Sequence, residues 1–110
     1  MRDVPVINVV GTACAPADVH RFNNWYAGHI QTLLAHPGMT GVSRFERIGS
    51  DERYPPFLAI YQFANAAQFT DYNNSELFLR SEEDRIREWG PNGFDVRWRV
   101  QYRQLGTWTK

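Results

Sequence analysis

The sequence has little cysteine, little lysine and no excess charge of either sign. Cys14 is its single cysteine, which excludes an internal disulfide and a thiolate zinc site. Twelve basic and twelve acidic residues give a formal net charge of zero at pH 7. The basic stripe that marks nucleic-acid binders is missing, so we predict no nucleic-acid partner.

Long apolar runs are also missing. No apolar segment approaches the 18 or so residues that a membrane helix needs, which predicts a protein without a membrane partner. A single cysteine is typical of a reducing compartment, so we predict a cytoplasmic location. At 110 residues the chain is long enough for one hydrophobic core, and we predict a single domain over residues 1–110.

Hydrophobic periodicity and turn residues predict the order of the secondary structure. A β-branched segment predicts a strand over residues 4–10, and an amphipathic pattern predicts a helix from Pro16 to about His36, stopped by the following proline and glycine. Strands are predicted at 42–48 and 57–63, a short helix at 66–72, a second helical segment capped at Ser81, and a last strand at 94–105.

This order predicts an α+β protein with the ferredoxin-like βαββαβ fold, in which a four-stranded antiparallel sheet carries helices on one face. The first and third strands are apolar at nearly every position, which places them at the centre of the sheet. The second sheet face is then partly apolar and uncovered. We expect a second copy of the chain to cover it, giving a homodimer through the sheet face.

The last strand shows the clearest alternation. Its apolar positions are Phe94, Val96, Trp98, Val100 and Tyr102, and this period of two predicts that all five share one buried face. Arg97, Arg99 and Arg103 then share the other face, where guanidinium groups suit a carboxylate or phenolate ligand. The alternative is a solvated edge strand, or ion pairs with Asp95 and Glu46 in the dimer.

His29 is the leading candidate for chemistry. On a helix it lies within the stripe formed by Phe22, Trp25, Tyr26 and Leu33, and an imidazole there suits general acid–base catalysis. The alternative is a core histidine that is hydrogen-bonded by its surroundings. His36, seven residues further on, lies about 10.5 Å away along the helix, too far to share a metal ion without further ligands, so we predict no metal site.

Two other candidates are weaker. Tyr61, on a predicted central strand, could supply a hydroxyl for proton transfer, or it could be a core residue. Trp25 and Trp98 are apolar anchors that would also suit the wall of a pocket for a planar ligand. The sequence has no phosphate-binding glycine motif and no serine nucleophile elbow, so it gives no support to nucleotide binding or hydrolase chemistry.

Several short motifs resemble those of the dimeric α/β barrel superfamily, and within it those of an uncharacterised branch related to EthD-like proteins. They are Trp25-Tyr26-x-x-His29-Ile30, Leu33-Leu34, Pro37-Gly38, Arg44-Phe45, the segment 54–61 and Tyr102-Arg103-x-Leu105. The superfamily contains cofactor-free monooxygenases, lactone isomerases, polyketide cyclases and haem-degrading enzymes. The resemblance therefore implies the fold, but not a substrate.

The resemblance further implies a pocket between the sheet and the helices, with His29 as its proton carrier. We therefore predict a protein that binds an aromatic or polyketide-like molecule, as a cofactor-independent cyclase, isomerase or monooxygenase with His29 and Tyr61 as catalytic residues. The ligand-binding residues would be Trp25, Tyr26, Arg97, Trp98 and Arg99, and no cofactor is expected. The alternative function is a non-catalytic ligand-binding or structural dimeric module.

Overall fold

The computed structural model describes residues 3–91 and 93–110. Four strands and three α-helices, with a short 3-10 helix at Pro16–Asp18 before the first of them, follow the predicted order. The elements are β1 (Val6–Cys14), α1 (Val19–Leu33), β2 (Met39–Glu46), β3 (Phe57–Phe63), α2 (Ala66–Asn73), α3 (Glu76–Trp89) and β4 (Phe94–Arg103).

The strands form one antiparallel sheet in the order β2-β3-β1-β4. The ferredoxin-like α+β fold is thereby confirmed, with β1 and β3 at the centre and the helices on one face. Beneath the helices, Phe22 is completely buried and its ring lies 4.9 to 6.0 Å from the rings of Tyr26, Phe57, Trp89 and Phe94. Edge-to-face aromatic packing of this kind holds α1 and α3 against the sheet.

The predicted capping of α2 agrees with the structure, whereas that of α3 is wrong. The Asn65 side chain caps α2 by accepting a hydrogen bond from the backbone N–H of Gln68 at 2.9 Å. The cap of helix α3 lies six residues before the predicted one, because Ser75 accepts a hydrogen bond from the N–H of Phe78 at 3.1 Å. Ser81 is instead buried within the helix and donates a hydrogen bond back to the Phe78 carbonyl.

The other boundaries shift by a few residues. Helix α1 ends at Leu33 rather than His36, because the backbone turns toward Met39 there. In this turn the His36 N–H donates a hydrogen bond to the Leu33 carbonyl, and the His36 carbonyl accepts one from the Met39 N–H. The buried His36 imidazole reinforces this turn, since its Nδ1 accepts from the Gly38 N–H at 3.0 Å and its Nε2 lies 2.8 Å from the Asp71 carboxylate. Strand β1 continues to Cys14, four residues past the predicted end.

The prediction that the apolar residues of β4 share one face is wrong beyond Val96. Trp98 pairs with Gly11 and Val96 pairs with Thr12, so Arg97 is an extra residue that forms a β-bulge. Phe94 and Val96 therefore point toward the helices, while Trp98, Val100 and Tyr102 point to the opposite sheet face. The bulge also turns Arg99 toward the helices.

The sheet face opposite the helices is apolar and open to solvent. Its exposed members include Phe45 at 51%, Trp98 at 39% and Tyr102 at 57% of their full accessible surface. Paired strand positions add Ile7, Val9, Leu58 and Ile60 to the same face. Within the described ranges 3–91 and 93–110, no helix is long and apolar enough to cross a lipid bilayer.

Candidate functional site

A narrow cleft lies between the sheet and the inner sides of the helices. Its volume is about 30 Å³, room for about one water molecule. The polar groups around it come from six elements: Asn8, Tyr26, His29, Tyr61, Tyr72, Glu82, Arg85 and Arg99. Apolar side chains such as Leu33 and Phe94 complete the lining, so a few polar groups converge in an otherwise apolar setting, as in small-molecule sites.

Two buried tyrosines form the innermost part of the cleft. The hydroxyls of Tyr26 on α1 and Tyr61 on β3 lie 2.9 Å apart, and either oxygen could be the donor. Burial raises the pKa of both phenols, that of Tyr61 strongly, so both are protonated at neutral pH. The pair therefore has two protons and can direct one of them toward a ligand oxygen in the cleft.

Arg44 fixes the position of Tyr26 from the far side. Its guanidinium carbon lies 4.3 Å from the centre of the Tyr26 ring, and its Nη1 donates a hydrogen bond to the side-chain oxygen of Asn23 at 2.8 Å. The stacked guanidinium gives a cation–π contact that holds the phenol in place. Burial lowers the pKa of Arg44, yet the group stays protonated at neutral pH.

His29 lies at the outer end of the same cleft. Its ring stacks on the Trp25 indole with centres 4.5 Å apart and an interplanar angle of 17°. Burial lowers the pKa of His29 from 6.5 to about 4. The imidazole is therefore neutral at pH 7 and offers an unprotonated nitrogen as a proton acceptor.

His29 also borders an outer groove between α1 and α3. Trp25, Gly28, Ser81 and Asp84 belong to the lining of this groove, which His29 separates from the inner cleft. The His29 imidazole therefore borders the inner cleft on one side and the solvent-facing groove on the other. This position suits a group that takes a proton from the cleft and releases it to solvent.

A carboxylate between two guanidinium groups closes the opposite side of the cleft. Arg99 donates from Nη2 to Oε1 of Glu82 at 2.7 Å, and Arg85 donates from Nε to the other carboxylate oxygen at 3.0 Å. Arg85 lies over the Phe94 ring, with its guanidinium carbon 5.4 Å from the ring centre. These three charged side chains form a cluster with a net charge of about +1.

An amide pair completes the floor near the end of the sheet. Asn8 is 5% exposed, and its side-chain oxygen accepts a hydrogen bond from Gln101 Nε2 at 2.9 Å. The two residues are direct partners on β1 and β4 beyond the bulge. The bulge therefore places Gln101 as well as Arg99 on the same side of the sheet as the cleft.

The structure brings together four of the seven residues predicted for the site. His29, Tyr61, Tyr26 and Arg99 line the cleft, whereas Trp25 lies behind His29 and faces the outer groove. Trp98 lies on the opposite sheet face because of the bulge, so its predicted place in a common buried face is wrong.

Arg97 does not line the cleft either. It lies at the bulge, with its Nε 3.6 Å from the carboxylate of Asp95. The ion-pair alternative drawn from the sequence therefore describes Arg97 better than ligand binding does. Among residues 3–91 and 93–110, no group of three or more histidine, cysteine or carboxylate side chains is arranged to hold a metal ion.

Sequence reasoning missed four polar residues of the cleft: Asn8, Tyr72, Glu82 and Arg85. The predicted cap at Ser81 places the acidic run at 82–84 in the first turn of a helix, where carboxylates favour the helix dipole. Because α3 begins at Glu76, Glu82 lies in mid-helix and faces the sheet instead. Counting the helical periodicity from Ser75 as the cap would have placed Phe78, Glu82 and Arg85 on one side.

Comparison with known proteins supports the fold. No protein-family model matches the sequence, and no curated protein sequence matches it either. Among solved structures, a DABB family protein with a ferredoxin-like fold from Mesorhizobium loti is 16% identical with a TM-score of 0.67, and covers 94% of this chain and 98% of its own.

Two further solved structures are of oxygenases. A proposed monooxygenase from Shewanella loihica is 14% identical with a TM-score of 0.62, over 97% of this chain and 100% of its own. SnoaB, a cofactor-independent oxygenase from Streptomyces nogalater, is 15% identical with a TM-score of 0.59, over 96% of this chain and 94% of its own. At these identities the similarity shows a shared fold.

Proposed function

We propose that this protein is a cofactor-independent enzyme that moves a proton on an aromatic or polyketide-like molecule, with oxygenation as the leading reaction. The main support is the convergence of a neutral His29 imidazole and the Tyr26–Tyr61 hydroxyl pair on one cleft. The fold shared with a cofactor-independent oxygenase is consistent with this class of reaction.

The chemistry follows from the protonation states. His29 accepts a proton from an acidic C–H or O–H of the substrate, and the nearby Glu82 carboxylate favours the imidazolium that forms. The tyrosine pair donates a hydrogen bond to the substrate oxygen, where negative charge develops. With a hydroxyanthrone the resulting carbanion supplies electrons to O₂, so that one CH₂ and one O₂ give one C=O and one water.

Oxygen uptake in the presence of hydroxylated anthrones and naphthols tests this proposal. Wild-type protein should consume one O₂ per anthrone oxidised, and His29→Phe should lower the rate by about 10² to 10⁴, the usual size of a lost proton transfer. His20→Phe is the matched control, because His20 is an exposed histidine on the same helix. Equal rates for the two variants would exclude His29 as the base.

A second function has an observation of its own in its favour. The cleft holds about 30 Å³, whereas pockets for drug-sized ligands hold about 300 Å³ or more. A structural module needs no larger cavity, whereas a non-catalytic ligand-binding module would have to open this cleft as an enzyme would. Calorimetric titration distinguishes the two functions, since a compound that binds without O₂ uptake or product formation would favour the module.

The proposal includes assembly and context. A homodimer through the sheet face is supported by the exposure of Phe45, Trp98 and Tyr102 on one apolar surface. We also propose a single domain over residues 1–110, which the one sheet supports. A cytoplasmic location is supported by the single cysteine, and a place near the EthD-like branch by the motifs quoted above. Light scattering that gave the mass of one chain at micromolar concentration would exclude the homodimer.

A further inference from the structure

The cluster of Glu82, Arg85 and Arg99 has the geometry of an occupied anion site. Both carboxylate oxygens of Glu82 accept hydrogen bonds, one from each arginine, at 3.0 and 2.7 Å. Two guanidinium groups that converge on two oxygens of one carboxylate form the arrangement by which proteins bind carboxylate ligands. Here the bound carboxylate comes from the chain itself.

The cluster has capacity for another anion. Each guanidinium carries five N–H groups and gives one hydrogen bond to Glu82. The side chains of Glu82 and Arg85 are only 21% and 19% exposed, and that of Arg99 is 38% exposed. In this partly desolvated setting two positive charges against one negative charge attract a second carboxylate more strongly than they would in bulk water.

The Glu82 side chain, together with that of Phe78, also separates the cleft from a depression at the protein surface. It lines the inner cleft with Tyr26 and Tyr61, and it lines a surface depression of about 440 Å³ formed by residues 73–79 at the start of α3. Movement of the Glu82 and Phe78 side chains would join the two spaces. The joined volume falls in the range of small-molecule pockets.

We propose that Arg85 and Arg99 bind the carboxylate of an aromatic ligand and that the Glu82 carboxylate competes with the ligand for this site. This inference rests on the proposed small-molecule function and adds the ligand class: an aromatic or polyketide-like acid whose ring enters the cleft. The ligand hydroxyl would then lie toward the Tyr26–Tyr61 pair. Displacement of Glu82 opens the cleft as the ligand enters.

Binding of 1-hydroxy-2-naphthoate and 1-naphthol tests the proposal, because the two probes differ by the carboxylate. Isothermal titration calorimetry should give tighter binding of the naphthoate to wild-type protein. Glu82→Gln removes the competing charge at nearly constant shape, so it should strengthen naphthoate binding by about tenfold and change naphthol binding by less than about twofold. Glu83→Gln, the same charge change at an exposed neighbouring position, should leave both affinities unchanged.

Arg99→Gln provides the second variant and is decisive if Glu82→Gln fails to fold in a thermal unfolding scan. It should weaken naphthoate binding by about tenfold and leave naphthol binding unchanged. If Glu82→Gln weakens naphthoate binding, or changes both probes equally, Glu82 is a structural ion-pair partner and the proposal is overturned. Naphthol binding without any preference for the acid overturns this inference alone, whereas no binding of either probe overturns the small-molecule function as well.

Discussion

The hydroxyl oxygens of Tyr26 and Tyr61 lie 2.9 Å apart in a region where both side chains are at most 4% exposed. Each phenol is therefore the hydrogen-bond partner of the other, and removal of one hydroxyl leaves the other hydroxyl buried without that hydrogen bond. We expect Tyr61→Phe to lower the free energy of unfolding by about 1 to 3 kcal/mol, the cost of an unpaired buried polar group. Urea denaturation measures this loss.

The double variant Tyr26→Phe/Tyr61→Phe should lose less than the sum of the two single losses, because it leaves no unpaired hydroxyl behind. Tyr54→Phe is the control, since Tyr54 is 59% exposed and its hydroxyl is not buried. Strictly additive losses would show that the hydrogen bond between the two phenols contributes nothing to stability.

His29 makes stability depend on pH. Burial lowers its pKa in the folded chain to about 4, while the unfolded chain keeps an ordinary value of 6.5. The unfolded state therefore binds more protons between these two values, so the stability that His29 contributes is present above pH 6.5 and is lost as the pH falls toward 4. The loss should be on the order of 3 kcal/mol.

Urea titrations between pH 4.5 and 7.5 measure this dependence. His29→Phe should show a flatter profile across the window than wild-type protein, since the titrating group is gone. His20→Phe should keep the wild-type slope, because His20 is exposed on the same helix. Parallel profiles for wild type and His29→Phe would mean that His29 titrates alike in the folded and unfolded chains.

Trp89 and Trp98 should differ in how their loss depends on protein concentration. Trp89 is 6% exposed and packs on Phe22, so Trp89→Ala should cost about 3 to 5 kcal/mol at any concentration. Trp98 is 39% exposed on the open sheet face, and its removal should weaken association of two copies. The cost of Trp98→Ala should then grow with protein concentration, because association stabilises the wild type by mass action.

Thermal unfolding at about 1 and 100 μM chain resolves the two effects. For wild-type protein the midpoint should rise with concentration, and for Trp98→Ala it should rise less. A wild-type midpoint that is independent of concentration would argue against a dimer linked to folding. A large, concentration-independent loss for Trp98→Ala would place this side chain in the core of the single chain instead.

Gly11 should tolerate no larger residue. A Cβ atom at this position would lie 2.8 Å from the Cγ of Pro55 and 3.0 Å from the Trp98 ring. We expect Gly11→Ala to destabilise the fold by about 1 to 3 kcal/mol, because Pro55 is buried and has little room to move aside. Gly28→Ala is the matched control, and it should change the stability in the opposite direction.

At Gly28, in the exposed part of α1, a Cβ would meet no atom within 4 Å. Alanine there should stabilise the protein by up to about 1 kcal/mol through its higher helix propensity. Denaturation midpoints of the two variants measure both effects. A neutral Gly11→Ala would show that Pro55 and Trp98 move aside without cost.

The sequence is sufficient for the fold because its signals are local and agree with one another. Strand β3 has the predicted bounds 57–63, since Pro55 and Pro56 precede it and the Asn65 cap follows. The start of α3 was misplaced because Ser75 and Ser81 are both plausible caps, and only packing against the sheet selects between them. The apolar stripe of helix α1 was predicted correctly because the helical spacing of its apolar residues places them on one face only.

The site was predictable only in part. His29 and Tyr26 belong to a helix whose inner face follows from its periodicity. Tyr61 lies on a strand that is apolar at nearly every position, so only the packing of the helices shows which face it is on. The wrong cap left Phe78 outside α3, so the side of the helix that Phe78, Glu82 and Arg85 share was not recognised. Arg99 reaches the cleft through a bulge, and an alternating strand gives the same pattern of residues with or without one. Only the pairing of β4 with β1 shows that the bulge is present.

The bulge at Arg97 gives a single residue control over two surfaces of the molecule. If β4 paired regularly, without the bulge, Arg97 would lie opposite Gly11, and inside and outside would be exchanged for every later residue of the strand. Trp98, Val100 and Tyr102 would then face the helices, and Arg99 would face outward, away from Glu82. The bulged pairing of this strand with β1, and not only its composition, therefore sets both the charge in the cleft and the apolar character of the open sheet face.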